Sequence, residues 1–137
     1  MDVLFEYEWI RTIAYYSVSL LALILFLAIF EIVTSYRNWY EIKNGNIAVA
    51  LATGGKIFGM ANIFRHSIEH SDSLLTMLGW GVLGFLLLLF SYFMFEFLTP
   101  SFKVDEEIQR DNRAVGFIAM IISVGLSYVI GASIIGR

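Results

Sequence analysis

The sequence predicts an all-α fold: an integral membrane four-helix bundle made of two parallel tandem helical hairpins. Three observations predict it. The composition is too apolar for a soluble core, four apolar stretches have bilayer-spanning length, and the second half of the chain echoes the first.

Hydrophobic residues make up 58% of the 137 residues and charged residues 15%. Soluble domains run at roughly 45–50% and about 25%. A chain this short cannot hide so much apolar surface in one water-excluded core. Hydrocarbon removes the difficulty, because lipid becomes the solvent. The net charge of -3 and the lack of a basic tract exclude nucleic acid as a partner. The absence of cysteine excludes disulfides, thiolate nucleophiles and Cys-based metal sites. The chain reads as a single transmembrane domain over residues 1–137.

The first apolar stretch runs from about Ile13 to Tyr36. Asp2, Glu6 and Glu8 precede it against Arg11 alone, the opposite of a secretory signal, so it is expected to remain as a membrane helix. The second runs from about Asn46 to Phe64, the third from Leu74 to Leu98 and the fourth from Ala114 to Ile135. Each is roughly 19–25 residues, enough to cross about 30 Å of hydrocarbon as a helix. Pro100 follows the third stretch, where a helix is expected to stop. The connectors read as short polar loops: RNWYEIKNG (Arg37–Gly45), a second centred on RHSIEHSDS (Arg65–Ser73), and TPSFKVDEEIQRDNR (Thr99–Arg113). Tyr7, Trp9, Tyr36, Trp39 and Tyr40 flank spans, as interfacial aromatics do. Connectors one and three carry Arg37, Lys43, Lys103, Arg110 and Arg113, against Arg11, Arg65 and Arg137 on the other side. This excess places those connectors in the cytoplasm and both termini outside it.

Residues 41–61, EIKNGNIAVALATGGKIFGMA, meet residues 107–127, EIQRDNRAVGFIAMIISVGLS, at an offset of 66. Glu41 meets Glu107, Asn46 meets Asn112, Val49 meets Val115 and Gly59 meets Gly125. At an offset of 65, FEIVT (Phe30–Thr34) meets FEFLT (Phe95–Thr99). The first repeat covers about 13–66 and the second about 74–135. Each holds two spans, so both copies enter the membrane the same way, related by an axis along the membrane normal.

The run NWYEIKNGNIAVALATGGKIFG, Asn38 to Gly59, resembles the signature of the YjfL-like family of four-span bacterial inner-membrane proteins, grouped as a domain of unknown function. EIQRDNRAVG, Glu107 to Gly116, is similar to that family's second copy of the motif. The resemblance spans roughly residues 13–135 and implies a plasma-membrane protein. It brings no activity or catalytic residues with it.

Three ionisable residues fall within predicted spans: Glu31, Lys56 and Glu96. A charge at mid-helix costs about 2.5–3.5 kcal/mol on insertion scales, so each should pair, neutralise or face other helices. The depths of Glu31 and Lys56 differ by roughly 6–8 Å at 1.5 Å per residue. A lysine stem spans much of that, which predicts a Glu31–Lys56 contact. Glu96 is the counterpart of Glu31, and Ile122 stands where a second lysine would be. The set reads either as an ion or proton site near the repeat axis or as a polar clamp fixing helix register.

Asn46 and Asn112 open the second and fourth spans, as helix N-caps or as a polar ring at a pore mouth. Gly55 and Gly59 form GxxxG, and Ala119, Ser123, Ser127 and Gly131 recur every four residues, patterns that let helix backbones approach. Two other matches carry little. GWGVLG, Gly79 to Gly84, fits a nucleotide-binding pattern but lies inside an apolar span rather than between strand and helix. HSIEH fits a metallopeptidase pattern, yet no soluble segment supplies a protease scaffold. His66, Glu69 and His70 therefore read as exposed loop residues, with adventitious metal binding the lesser alternative. No metal or other cofactor is expected, and no nucleophile–base pair marks an enzyme.

The expected function is a non-enzymatic membrane subunit, a scaffold or partner in an envelope-associated complex. Its partners would be the lipid bilayer and a second copy or other envelope proteins. Connector three, Lys103 to Arg113, is the candidate docking surface. The rival is a small oligomeric channel or ion-coupled transporter using Glu31, Lys56 and Glu96.

Overall fold

A computed structural model of the chain describes residue 3 and residues 6–134. Asp2, Ile135 and Arg137, used in the sequence reading, lie outside the described residues. Six helices follow in order: α1 (Glu8–Val33), α2 (Asn38–Lys43), α3 (Ile47–Glu69), α4 (Leu74–Leu98), α5 (Val104–Gln109) and α6 (Arg113–Ser133). No strand occurs among the described residues. The four long helices, α1, α3, α4 and α6, are each long and apolar enough to cross a membrane.

Local chemistry sets their ends. Glu8 sits in the first turn of α1, where an acidic side chain complements the helix dipole. At the other end Thr34 Oγ1 donates to Phe30 O (3.0 Å) and closes the helix. The first span thus lies several residues before the expected Ile13–Tyr36, because the chain turns at Thr34 to bury Tyr36. Asn46, Ser73 and Asn112 cap α3, α4 and α6, each side chain accepting an amide three residues on. The third span matches its expected bounds, Leu74–Leu98.

Two of the expected polar loops are largely helical. Connector one folds as α2 and connector three as α5. Val104 and Ile108, one turn apart on α5, are both buried, and burying that pair makes this short helix worth forming. The solvated loop expected there is replaced by a packed helix with a charged outer face. The second connector also shrinks, since α3 continues through Glu69. Nothing in RHSIE breaks a helix, and Arg65 and Glu69 pair across one turn at 3.5 Å.

Contacts fix the helix directions. Ser19 of α1 bonds Met77 of α4, and Phe26 stacks on Phe85 further along, so α1 and α4 run the same way. Ala48 lies against Gly116, Gly55 against Met120 and Gly131 against His66, so α3 and α6 also run together. Phe26 packs on Phe64, while Phe30, one turn on, lies by Lys56, two turns back, so α1 and α3 are antiparallel.

The core has two parts. One joins α1, α3 and α4 through Phe26, Phe64 and Phe85. The other lies beneath α5 and the turn before α2, among Tyr36, Val49, Ala52, Val104, Ile108 and Ala119. α3 is the most enclosed span and α1 the least. Large apolar side chains such as Leu21, Leu25 and Ile32 on α1 and Leu86, Phe90 and Phe97 on α4 point outward. In water this surface would be intolerable; in hydrocarbon it is the ordinary exterior.

Candidate functional site

The candidate site is a buried polar chamber where α1, α3, α4 and the two short helices meet. Lys56 projects into it from α3 and is 2% exposed. Its Nζ lies over three aromatic rings: Phe30 of α1 at 5.1 Å, Tyr92 of α4 at 5.1 Å and Tyr36 of the α1–α2 turn at 5.7 Å. Each ring presents its electron-rich face to the cation, worth about 0.5–2 kcal/mol when desolvated. Lys56 Nζ has no hydrogen-bond acceptor in the protein. Nor do Tyr36 Oη and Tyr92 Oη have a partner, and the acceptors Asn38 Oδ1 and Asp105 Oδ1 are also unmatched. Buried groups of this kind are satisfied by ordered water or a small ion.

The chamber also binds the connectors together. The other oxygen of Asp105, Oδ2, accepts Ser35 N at 2.9 Å, tying α5 to the turn that carries Tyr36. Burial pushes the ionisation of the Tyr36 phenol well above the ordinary tyrosine range, and the negative charges of Asp105 and then Glu31 push it further. Tyr36 therefore stays a neutral hydroxyl, available as donor and acceptor.

The expected Glu31–Lys56 contact is not formed. Glu31 lies in the last turn of α1, and its Oε1 accepts Asn38 N at 3.1 Å, capping the start of α2. That amide is nearer in space than the ammonium, which the aromatic rings enclose. Glu96 makes the corresponding bond at the end of α4, its Oε2 accepting Val104 N at 3.3 Å at the start of α5. Both intramembrane glutamates are thus engaged at the ends of their spans, and only the lysine is deep.

Asn46 and Asn112 also act alike. Asn46 Oδ1 accepts Val49 N at 3.0 Å while its Nδ2 donates to Glu41 Oε1 at 3.2 Å. Asn112 Oδ1 accepts Val115 N at 3.4 Å while its Nδ2 donates to Glu107 Oε1 at 2.8 Å. The residue before each is left-handed: Gly45 with φ 86° and Asp111 with φ 64°. The match then ends. Asn46 Nδ2 also reaches Gln109 O (2.8 Å), and Asp111 Oδ1 accepts Ala48 N (2.9 Å), so the second turn caps the first hairpin's helix.

Gly55, Gly59, Ser123, Ser127 and Gly131 all lie along the α3–α6 contact. A Cβ on Gly55 would stand 2.7 Å from Met120 Cα, and one on Gly59 would stand 3.1 Å from Ser123 O. Ser127 Oγ accepts from Asn62 Nδ2 at 3.0 Å, a buried bond across the same seam. Gly131 accommodates the His66 ring. His66, Glu69 and His70 sit at the end of α3, at the opposite end of the bundle from the chamber. Sequence reasoning missed Tyr92, Asp105, Asp111 and Gly116. Only Asp111 carries a signal, its place opposite Gly45 when the sequence is laid against itself at an offset of 66.

Four bilayer-length helices among the described residues, packed as a bundle, define a multi-pass helical membrane protein. The chain belongs to the family described as Domain of Unknown Function (DUF350), which matches residues 4–134. It is 62% identical over 134 residues to UPF0719 transmembrane protein YshE of Bacillus subtilis (strain 168), covering 98% of this chain and 100% of that protein. It is 26% identical over 103 residues to UPF0719 inner membrane protein YjfL of Escherichia coli (strain K12), covering 75% and 76%. None of these names denotes an enzyme. No solved structure matches the chain.

Proposed function

We propose that this protein is a non-enzymatic subunit of an envelope-associated complex in a bacterial plasma membrane, built from two tandem hairpin copies. The copies enter the membrane in parallel, and connectors one and three face the cytoplasm. The folding of connector three carries this reading. With Val104 and Ile108 buried, α5 is held on the bundle while Lys103, Glu106 and Arg110 stay exposed. A fixed, mixed-charge face of this kind suits a second copy or another envelope protein better than a mobile loop does. The recurrence of the glutamate and asparagine bonds in both hairpins supports the duplication.

A second reading rests on the unmatched Lys56 ammonium. A deep cation over the faces of Phe30, Tyr36 and Tyr92 favours a small oligomeric channel or ion-coupled carrier. In it Lys56 carries the charge, and Glu31 and Glu96 keep the ends of α1 and α4 in place. One pair of measurements separates the two. In the first reading a partner co-purifies in gentle detergent and is lost in Lys103→Glu/Arg110→Glu, while liposomes holding the protein show no ion or proton flux. Flux that disappears in Lys56→Met would overturn the scaffold in favour of the channel.

A further inference from the structure

We propose that His66, Glu69 and His70 form a binding site for one borderline divalent transition-metal ion, of which Zn2+ is the reference. The site is independent of both functional readings above. The three residues occupy one face at the end of α3, because positions three and four apart on a helix stand one above the other. Each offers one ligand atom, and these atoms lie within 4.8 Å of one another. Coordination at roughly 2.0–2.2 Å per bond needs only side-chain rotation from there.

Both imidazoles are already oriented. The Cδ2–Nε2 edge of His66 faces Gly131, where any side chain would collide with the ring, and Nε2 is buried without a protein partner. The ring's Cδ2 corner is turned into the α3–α6 seam, so Nδ1 lies on the side of the ring away from Gly131. The His70 ring is fixed the other way. Its Nδ1 lies 2.9 Å from His66 O, and a carbonyl can only accept, so Nδ1 donates there and in the neutral ring Nε2 carries the lone pair. A carbonyl behind the ring is the support that ligating histidines commonly have. Glu69 is held by Arg65 at 3.5 Å with both side chains largely exposed. Such pairs are worth under about 1 kcal/mol, so the carboxylate turns to a cation at small cost.

Two nitrogens and one carboxylate select zinc, copper or nickel over magnesium or calcium, which prefer oxygen cages. Three protein ligands also leave a coordination position for water or for a group from a neighbouring molecule. Gly131 thereby acquires a role beyond helix packing, as the seat of the His66 ring.

The test uses full-length protein without a polyhistidine tag, in detergent, titrated calorimetrically with ZnCl2. The expected result is saturation at one ion per chain. His70→Ala should weaken binding about tenfold or more, and Glu69→Gln by a smaller factor. His70 is exposed, so its variant tests the site without disturbing the fold; unchanged circular dichroism checks this. Copper loading gives a second readout, with electron paramagnetic resonance showing two nitrogen ligands in the wild type and one in His70→Ala. The proposal is overturned by an absence of saturable binding, by equal binding in His70→Ala, or by displacement of the ion by millimolar Mg2+.

Discussion

Two turns and more into α3, a lysine points into an aromatic chamber; at the matching place in α6 stands Ile122, half-buried and needing no partner. The two hairpins otherwise hold their short helices by the same means. Glutamate caps the short helix, asparagine caps the long one, and a left-handed residue stands between. Bonds that recur belong to the architecture; the others belong to one half alone. Bonds found in both halves make the hairpin. Found in one half alone are the buried cation with its ring contacts and the Asp111 cap on α3.

Three substitution experiments probe the contrast between the halves, each read as thermal stability in detergent. The largest effect is expected at the seam between the hairpins. A Cβ on Gly116 would stand 2.6 Å from Ala48 O and 2.7 Å from Ala48 Cα, so Gly116→Val must push two backbones apart. We expect a loss of about 3 kcal/mol, the upper end for overpacking. Gly125, with nothing within 4 Å, should accept alanine with a gain of under about 1 kcal/mol from helix propensity. Equal effects at both glycines would mean that α3 and α6 do not pack as described.

Next comes the lysine itself. Lys56→Met keeps the volume and removes a buried charge that no carboxylate directly meets, so stability should rise by about 1–3 kcal/mol. A loss of stability instead would show that the ammonium is held to Asp105 through water. The smallest effect separates the two asparagines. Asn46→Ala gives up three bonds and should cost about 1–2 kcal/mol; Asn112→Ala gives up two, one of them long, and should cost about 1 kcal/mol or less. The reverse order would remove the asymmetry assigned to the second turn.

The spans, the capping asparagines and the small-residue seam were legible in the sequence because each is a local signal. So was Lys56, a charge standing alone in an apolar run. The chamber around it was not. α4 is apolar on nearly every side, so no periodicity marks Tyr92 as inward. Asp105 lies among other acidic residues in a segment that reads as solvated. Its burial depends on the fold of α5, which is too short to declare itself by pattern. Depth alone is what places Glu31 near Lys56 in the sequence. Depth says nothing about an amide presented by the next turn of chain. The histidines differ for a related reason: polarity suggests a loop, whereas helices end at breakers and RHSIE has none.

The enclosure of Lys56 has a consequence for biogenesis. α3 is the least apolar of the four spans, with mean hydropathy 1.5 against 2.4 for α1. It leaves the ribosome with Phe30 and Tyr36 already made but before Tyr92 on α4, the third ring over its ammonium. During that interval lipid is a poor environment for the nascent second span. Full enclosure of the lysine therefore waits for the third span, which carries Tyr92.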